Sequence, residues 1–210
     1  MRLVLATNNA KKLAELQALL APAGVSLVAQ QALELAEAEE PHATFIENAL
    51  AKARHAARLV GGPAIADDSG LCVDALGGAP GVISARFASI ALPRGAEREV
   101  QRGMQDAANN RLLLERLPST TDRRAHFIAT LVALRSADDP EPLIAVGRWQ
   151  GEILHEAAGA GGFGYDPLMF IPKLGASVAT LTVDVKNAHS HRALAARQML
   201  GLLRDVWRLG

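Results

Sequence analysis

Leu3-Val4-Leu5-Ala6-Thr7-Asn8-Asn9-Ala10-Lys11-Lys12-Leu13 decides the architecture. The four apolar residues read as a buried strand and Thr7-Asn8-Asn9 as a polar turn; Leu13, Leu16 and Leu20 then recur at helical spacing. Pro22 and Gly24 stop that helix. Strand, turn and helix in this order open a β-α unit, and the pattern returns downstream. Val25 to Val28 reads as a second strand. Thr44-Phe45-Ile46-Glu47 has capping-box spacing, in which hydroxyl and carboxylate satisfy exposed backbone donors reciprocally. It opens an alanine-rich helix that runs to about Leu59, before Gly61-Gly62-Pro63. Ala64 to Ala66 is a third short strand, ending in Asp67-Asp68-Ser69-Gly70.

Further along the chain the period changes. Glu97 to Leu117 reads as a helix with Pro118 beyond it. Ala125 to Arg135 and Leu143 to Leu154 flank Asp138-Asp139-Pro140, which predicts an antiparallel pair around a polar turn. The last helix carries Ala196, Met199, Leu200, Leu203 and Trp207 on one stripe. Early β-α units with a later hairpin predict an α/β fold with a mixed sheet. A single domain over residues 1–210 is expected, with two lobes and a cleft between the β-α lobe and the hairpin-bearing lobe.

Composition narrows the function. The chain of 210 residues holds 22 Lys+Arg and 22 Asp+Glu, so it is formally neutral and has no global field for a nucleic-acid backbone. One cysteine excludes a disulfide framework and a thiolate zinc site. The apolar start gives way to Thr7-Asn8-Asn9 too soon for a signal peptide, and no apolar run reaches the ~20 residues of a membrane span. A soluble cytoplasmic protein without nucleic-acid or membrane partners is expected.

The basic residues stand where helices disfavour them. Lys11 and Lys12 follow Asn9, and His191 and Arg192 follow Ser190; both Asn and Ser are good N-cap residues. A cation in a first turn opposes the helix dipole at a cost of a few tenths of a kcal/mol. Each pair alone reads equally as solvated side chains. Two such ends in one chain favour an anion, because exposed N–H groups and nearby cations together make a phosphate site. Asp67 and Asp68 follow a strand, where ligands of open α/β sheets bind. Adjacent residues on an extended chain point to opposite sides, so one carboxylate faces a cleft while the other supports the turn. A hard cation such as Mg²⁺ bridges carboxylate to substrate phosphate, although Asp-Asp turns are also common. Asn48, Lys52 and His55 share a helix face, which by itself reads as an ordinary wet face from which Lys52 reaches a phosphate. Glu37, Glu39 and Glu40 form either a solvated loop or a second carboxylate for the metal.

Gly159-Ala160-Gly161-Gly162-Phe163-Gly164 matches G-x-G-x-x-G, but Leu168-Met169-Phe170-Ile171 beyond it reads as a strand where a dinucleotide fold needs a helix. Phe163 and Tyr165 are read either as a stacking platform for a purine base or as core residues. Cys72 is expected to be a buried small hydrophobe, and Trp149 and Trp207 to be packing residues.

Six segments then occur in one order: Thr7 to Lys12, Thr44 to Ala49, Ala66 to Leu71, Leu76 to Gly81, Gly161 to Pro167 and Ser190 to Arg192. Together they resemble the non-canonical purine nucleoside triphosphate pyrophosphatases, the inosine triphosphatase or HAM1-like family. The resemblance covers nearly the whole chain. It implies a long mixed sheet flanked by helices with the active site between two lobes, and a homodimer. The implied activity is hydrolysis of ITP, dITP and XTP to the monophosphate and pyrophosphate with Mg²⁺.

By the same resemblance Thr7, Asn8, Asn9, Ala10, Lys11 and Lys12 form the phosphate-binding loop, and Lys52 and Lys186 are further basic contacts. Asp68 is the catalytic, metal-binding aspartate; Asp67 beside it, Lys12 and Lys52 complete the catalytic set, and Ser69 is a substrate contact. Glu40 is the metal-linked glutamate, with Glu39 one position away as the alternative. Phe163, Gly164, Tyr165 and Asp166 make the base pocket with His191 and Arg192. Asn8 stands where many members carry Gly, and Ser89 to Arg102 is longer than is typical. A Maf-like pyrophosphatase acting on other nucleotides and a non-catalytic nucleotide-binding module are the alternatives.

Overall fold

The computed structural model describes residues 1–93, 95–117 and 119–208. Seven strands among them form one sheet: β1 (Arg2–Leu5), β2 (Ser26–Ala29), β3 (Ala64–Val73), β4 (Arg124–Leu134), β5 (Leu143–Ile153), β6 (Met169–Ile171) and β7 (Ala176–Ser177). Their order is β2-β1-β3-β4-β5-β6-β7. β1 pairs parallel with β2 and β3, whereas β6 pairs antiparallel with β5 and β7, so the sheet is mixed as expected. The helices are α1 (Ala10–Leu20), α2 (Phe45–Val60), α3 (Arg98–Glu115), α4 (Val183–His189) and α5 (His191–Asp205).

The chain falls into two compact units. The first comprises Met1–Ser69, Ile128–Arg148 and Asn187–Gly210, and the second Gly70–Phe127 and Trp149–Lys186. In the first unit β1 is apolar on both faces because both are covered. Leu3, Leu5 and Ile65 pack with Leu16 and Leu20 of α1 and with Met199 and Leu203 of α5. Val4, Ala6, Ala64 and Ala66 pack instead against Ala49, Ala53, Ala56 and Ala57 of α2. Small residues on both sides let α2 lie close to the sheet. The cap is half of the box expected: Thr44 Oγ1 accepts from Glu47 N, but the Glu47 carboxylate accepts from the Thr44 hydroxyl and not from a backbone N–H of the described residues. At the other end Gly61 takes the left-handed conformation, with φ +59°.

Gly147 on β5 permits a second close approach. A Cβ there would lie 2.0 Å from His191 O and 2.6 Å from Ala195 N, so only glycine lets the start of α5 sit on this strand. The second unit has its own core of Leu71, Val73, Leu113, Phe127, Trp149, Leu168 and Met169, joined by Tyr165.

Three expectations need correction. Asp67, Asp68 and Ser69 do not follow a strand that stops at Ala66; they lie inside β3, which runs on to Val73. Leu71 and Val73 are buried in the second core and carry the extended chain onward. The second strand begins one residue late, at Ser26. Cys72 is half-buried rather than fully buried. Pro118, read as the stop after α3, lies outside the described residues. The glycine run opens no helix and is followed by β6, so the dinucleotide-fold reading stays excluded. Among the described residues no helix is long and apolar enough to cross a membrane.

Candidate active site

Strand alternation separates the two aspartates. Asp67 shares parity with Ile65 and so faces α1 and α5; Asp68 shares parity with Ala66 and faces α2. β1 ends at Leu5 while β3 continues, so both acids extend past the end of their neighbour.

On the first face, Asn9 caps α1 through Oδ1, which accepts from Lys11 N and Lys12 N. That turn places Lys12 Nζ 2.7 Å from Asp67 Oδ2. Ser69 Oγ donates to the same oxygen at 2.9 Å. Ser190 caps α5 by accepting from Ala193 N, and Arg192 in that first turn is 3% exposed. Its Nη1 donates to Glu15 at 2.6 Å and its Nη2 to Ser69 Oγ at 3.0 Å, with Nε 3.8 Å from Asp67. Burial by itself would raise the Asp67 carboxyl, but Lys12 and Arg192 outweigh it and hold the group well below the usual carboxylate range. Burial also lowers the Lys12 ammonium, against the opposing pull of Asp67. Lys12 and Arg192 at these two helix starts thus already meet carboxylates of the chain, those of Asp67 and Glu15.

On the second face, Lys52 Nζ donates to Asp68 Oδ1 at 2.8 Å and to Glu40 Oε1 at 3.2 Å. Burial depresses the Lys52 ammonium, yet Asp68 and Glu40 overcome that and keep it above its ordinary value. For Asp68 burial prevails over Lys52 and pushes the carboxyl up. Asp68 Oδ2, like Asp67 Oδ1 on the other face, is buried without a hydrogen-bond partner among the described residues.

The face of α2 that reads as wet is covered. Asn48 is fully buried and pins the preceding segment twice, accepting from His42 N at 3.0 Å and donating to His42 O at 3.2 Å. His55 Nε2 lies 3.0 Å from Ala36 O. This segment brings Glu40 to Lys52, while Glu39 is exposed. Asn8, at the unusual position of the first loop, bonds to Glu37 and accepts from Gln30 Nε2 at 3.2 Å. Thr7 Oγ1 accepts from Asn9 N at 3.2 Å, closing the turn. Ala10 and Lys11 are exposed at its end, and His191 is buried at the start of α5.

The second unit holds the remaining predicted residues. Asp166 Oδ2 accepts from Phe163 N at 3.0 Å and from Lys186 Nζ at 2.9 Å, and Lys186 Nζ lies 4.6 Å from the centroid of the half-buried Phe163 ring. Gly162 is required here, since a Cβ would fall 2.0 Å from Asp166 Oδ2. Tyr165 corrects the stacking-platform reading. Its ring is 5% exposed in the core, its hydroxyl donates to Ser84 O at 2.9 Å, and burial raises its pKa.

Sequence reasoning missed Glu15, whose place one helical turn after Lys12 was the available signal. It also missed Asp106 and Asn110, which bond to Gly164 from α3.

Fold and site define an α/β protein in which two adjacent buried carboxylates of one strand each meet a lysine from a different helix. Its chain belongs to the Ham1 family, whose sequence profile matches residues 3–202. It is 67% identical to the dITP/XTP pyrophosphatase of Methylibium petroleiphilum over 99% of each chain. It is 66% identical to that of Leptothrix cholodnii over the full length of both. The HAM1 protein structure from Coxiella burnetii superposes with a TM-score of 0.85 at 40% identity, covering 98% of this chain and 100% of that one.

Proposed function

We propose that this protein hydrolyses ITP, dITP and XTP to the nucleoside monophosphate and pyrophosphate with the aid of Mg²⁺. The observation that carries the reading is Asp68: a buried carboxylate beside Lys52 and Glu40 with one oxygen that no described residue engages. The names of the full-length relatives support the substrate class. Among the described residues no cluster of three His, Cys, Asp or Glu could hold a metal. The donor set nevertheless suits Mg²⁺, which binds through one or two carboxylates and completes its shell with water and substrate phosphate. Asp68 and Glu40 would hold the ion, which when bound neutralises charge on the phosphates and the departing pyrophosphate.

The chain's own groups do the rest. Asp68 orients the water that attacks the α-phosphorus and accepts its proton, a role suited to a carboxyl whose pKa burial has raised. The α–β anhydride bond breaks and pyrophosphate departs with its electron pair. Lys12 and Lys52, with the positive dipole end of α1, stabilise the triphosphate electrostatically. Asp67 keeps Lys12 in place, and Arg192 fixes Asp67 and Ser69. Phe163, Lys186 and Asp166 serve the base. Inosine and xanthine carry a C6 carbonyl where adenine carries an amino donor, so a donor in the site favours them. The resemblance further supports a homodimer in the cytoplasm, which light scattering of the purified protein checks for its oligomeric part.

Release of pyrophosphate from ITP, XTP, GTP and ATP, with Mg²⁺ and with EDTA, tests the reading. ITP and XTP are expected to turn over at least about tenfold faster than ATP, with activity abolished by EDTA. Equal turnover of ATP, or activity indifferent to EDTA, overturns it.

A further inference from the structure

The loop that carries Phe163 is held from outside by one face of α3. Gly164 N donates to Asp106 Oδ2 at 2.8 Å, and Asn110 Nδ2 donates to Gly164 O at 3.0 Å. Asp106 and Asn110 are one helical turn apart, so a single stretch of helix grips both polar groups of one glycine. The neighbouring Asn109 accepts from Ala88 N at 2.8 Å and donates to Ser84 O at 3.2 Å. Tyr165 donates to that same Ser84 carbonyl at 2.9 Å, which closes a network around residues 163–166.

The peptide joining Phe163 to Gly164 is consequently fixed at both ends. Its N–H is held by Asp106 and its carbonyl accepts from Asp166 N at 3.3 Å. Gly164, at φ +61°, has none of the side-chain restraint that would otherwise hold this turn. The plane of that peptide sets the direction of the Phe163 side chain, and hence of the face that Lys186 covers at 4.6 Å. The N–H groups of Phe163, Gly164 and Asp166 all have acceptors inside the protein, on Asp166, Asp106 and Phe163.

We propose that Asp106 and Asn110 are positioning residues for purine recognition, acting through Gly164 to hold the Phe163 ring against the base. The proposal rests on the purine-nucleotide reading above. It requires of Asp106 an oxygen acceptor, not a charge.

Steady-state kinetics with ITP, XTP and GTP on Asp106→Ala, Asp106→Asn and Asn110→Ala, beside thermal unfolding of each, provide the test. Asp106→Ala is expected to raise the KM for ITP by about tenfold, the scale of one lost hydrogen bond, while kcat stays within about twofold. The preference for ITP over GTP falls with it. Asp106→Asn keeps the acceptor and is expected to restore KM to within about twofold of wild type. Asn110→Ala raises KM by about threefold and carries the same readout if Asp106→Ala does not fold. A wild-type KM in both alanine variants, a loss confined to kcat, or an Asn variant as impaired as the Ala variant overturns the proposal. A wild-type enzyme that releases no pyrophosphate from any purine triphosphate overturns the underlying reading and this one with it. An active wild type whose alanine variants are unchanged sinks the clamp alone.

Discussion

Asp67 shares a strand face with Ile65 and Asp68 with Ala66, and the difference between the two carboxylates follows from that alternation. Asp67 meets Lys12 and Arg192, which hold it ionised, whereas for Asp68 burial prevails over Lys52; each keeps one oxygen, Oδ1 of Asp67 and Oδ2 of Asp68, without a hydrogen-bond partner among the described residues. Asp68→Asn is therefore expected to lower kcat for ITP by about 10³-fold with little change in melting temperature. The amide oxygen still accepts from Lys52, and Glu40 remains beside that ammonium. Near-normal turnover by this variant rules out the proposed role. Asp67→Asn acts on stability, because it breaks a buried pair at a cost of about 3 kcal/mol near neutral pH. A carboxyl with a depressed folded pKa contributes stability that is present above its unfolded value, near ~4, and is lost as pH falls through the folded value. Urea midpoints measured downward from pH 6 should therefore begin to converge for wild type and Asp67→Asn below about pH 4 and go on converging as pH falls toward the folded value. Parallel curves across that window would show that Asp67 is not held by the two cations.

At the scale of elements, one substitution should have opposite signs at two glycines. Gly147→Ala pushes a methyl into the backbone of α5, with His191 O at 2.0 Å and Ala195 N at 2.6 Å. It is expected to destabilise the fold by about 1–3 kcal/mol and, by displacing His191 and Arg192, to lower activity. Gly201 lies within α5 with nothing within 4 Å of a built Cβ. Gly201→Ala is expected to stabilise by about 0.5–1 kcal/mol, and chemical unfolding of both variants checks the pair. Elements with local causes were legible in the sequence. The caps Thr44, Asn9 and Ser190, and the alanine stripe of α2, each depend on neighbours a few residues away. The length of β3 was not legible, because Asp-Asp-Ser-Gly reads locally as a turn. Leu71 and Val73, packed against distant residues such as Leu113 and Trp149, and the ladder to β4 keep the chain extended through it. The covered face of α2 was hidden for the same reason, since Asn48 and His55 bind a segment whose path no local pattern announces.

Across the whole molecule the charges are matched twice over. The chain carries 22 basic and 22 acidic residues, and three buried or half-buried cations of the first unit already face carboxylates: Lys12 faces Asp67, Lys52 faces Asp68 and Glu40, and Arg192 faces Glu15. The crowding of basic residues at two helix starts was visible in the sequence, but its partners were not. Asp67 is distant in the chain from both starts, and pairing across such separations leaves no local mark. With near cancellation on both scales, a polyanionic substrate meets no long-range attractive field, so steering contributes little to its capture. Raising KCl from about 50 to 300 mM at fixed free Mg²⁺ shortens the screening length from roughly 14 to 6 Å. On this charge arrangement that change should lower kcat/KM for ITP by less than about threefold, because short-range contacts at Lys12 and Lys52 are weakly screened. A fall of tenfold or more would mean that capture is steered by a field extending beyond these paired residues, and the lysines would then have to act on the triphosphate before contact rather than within it.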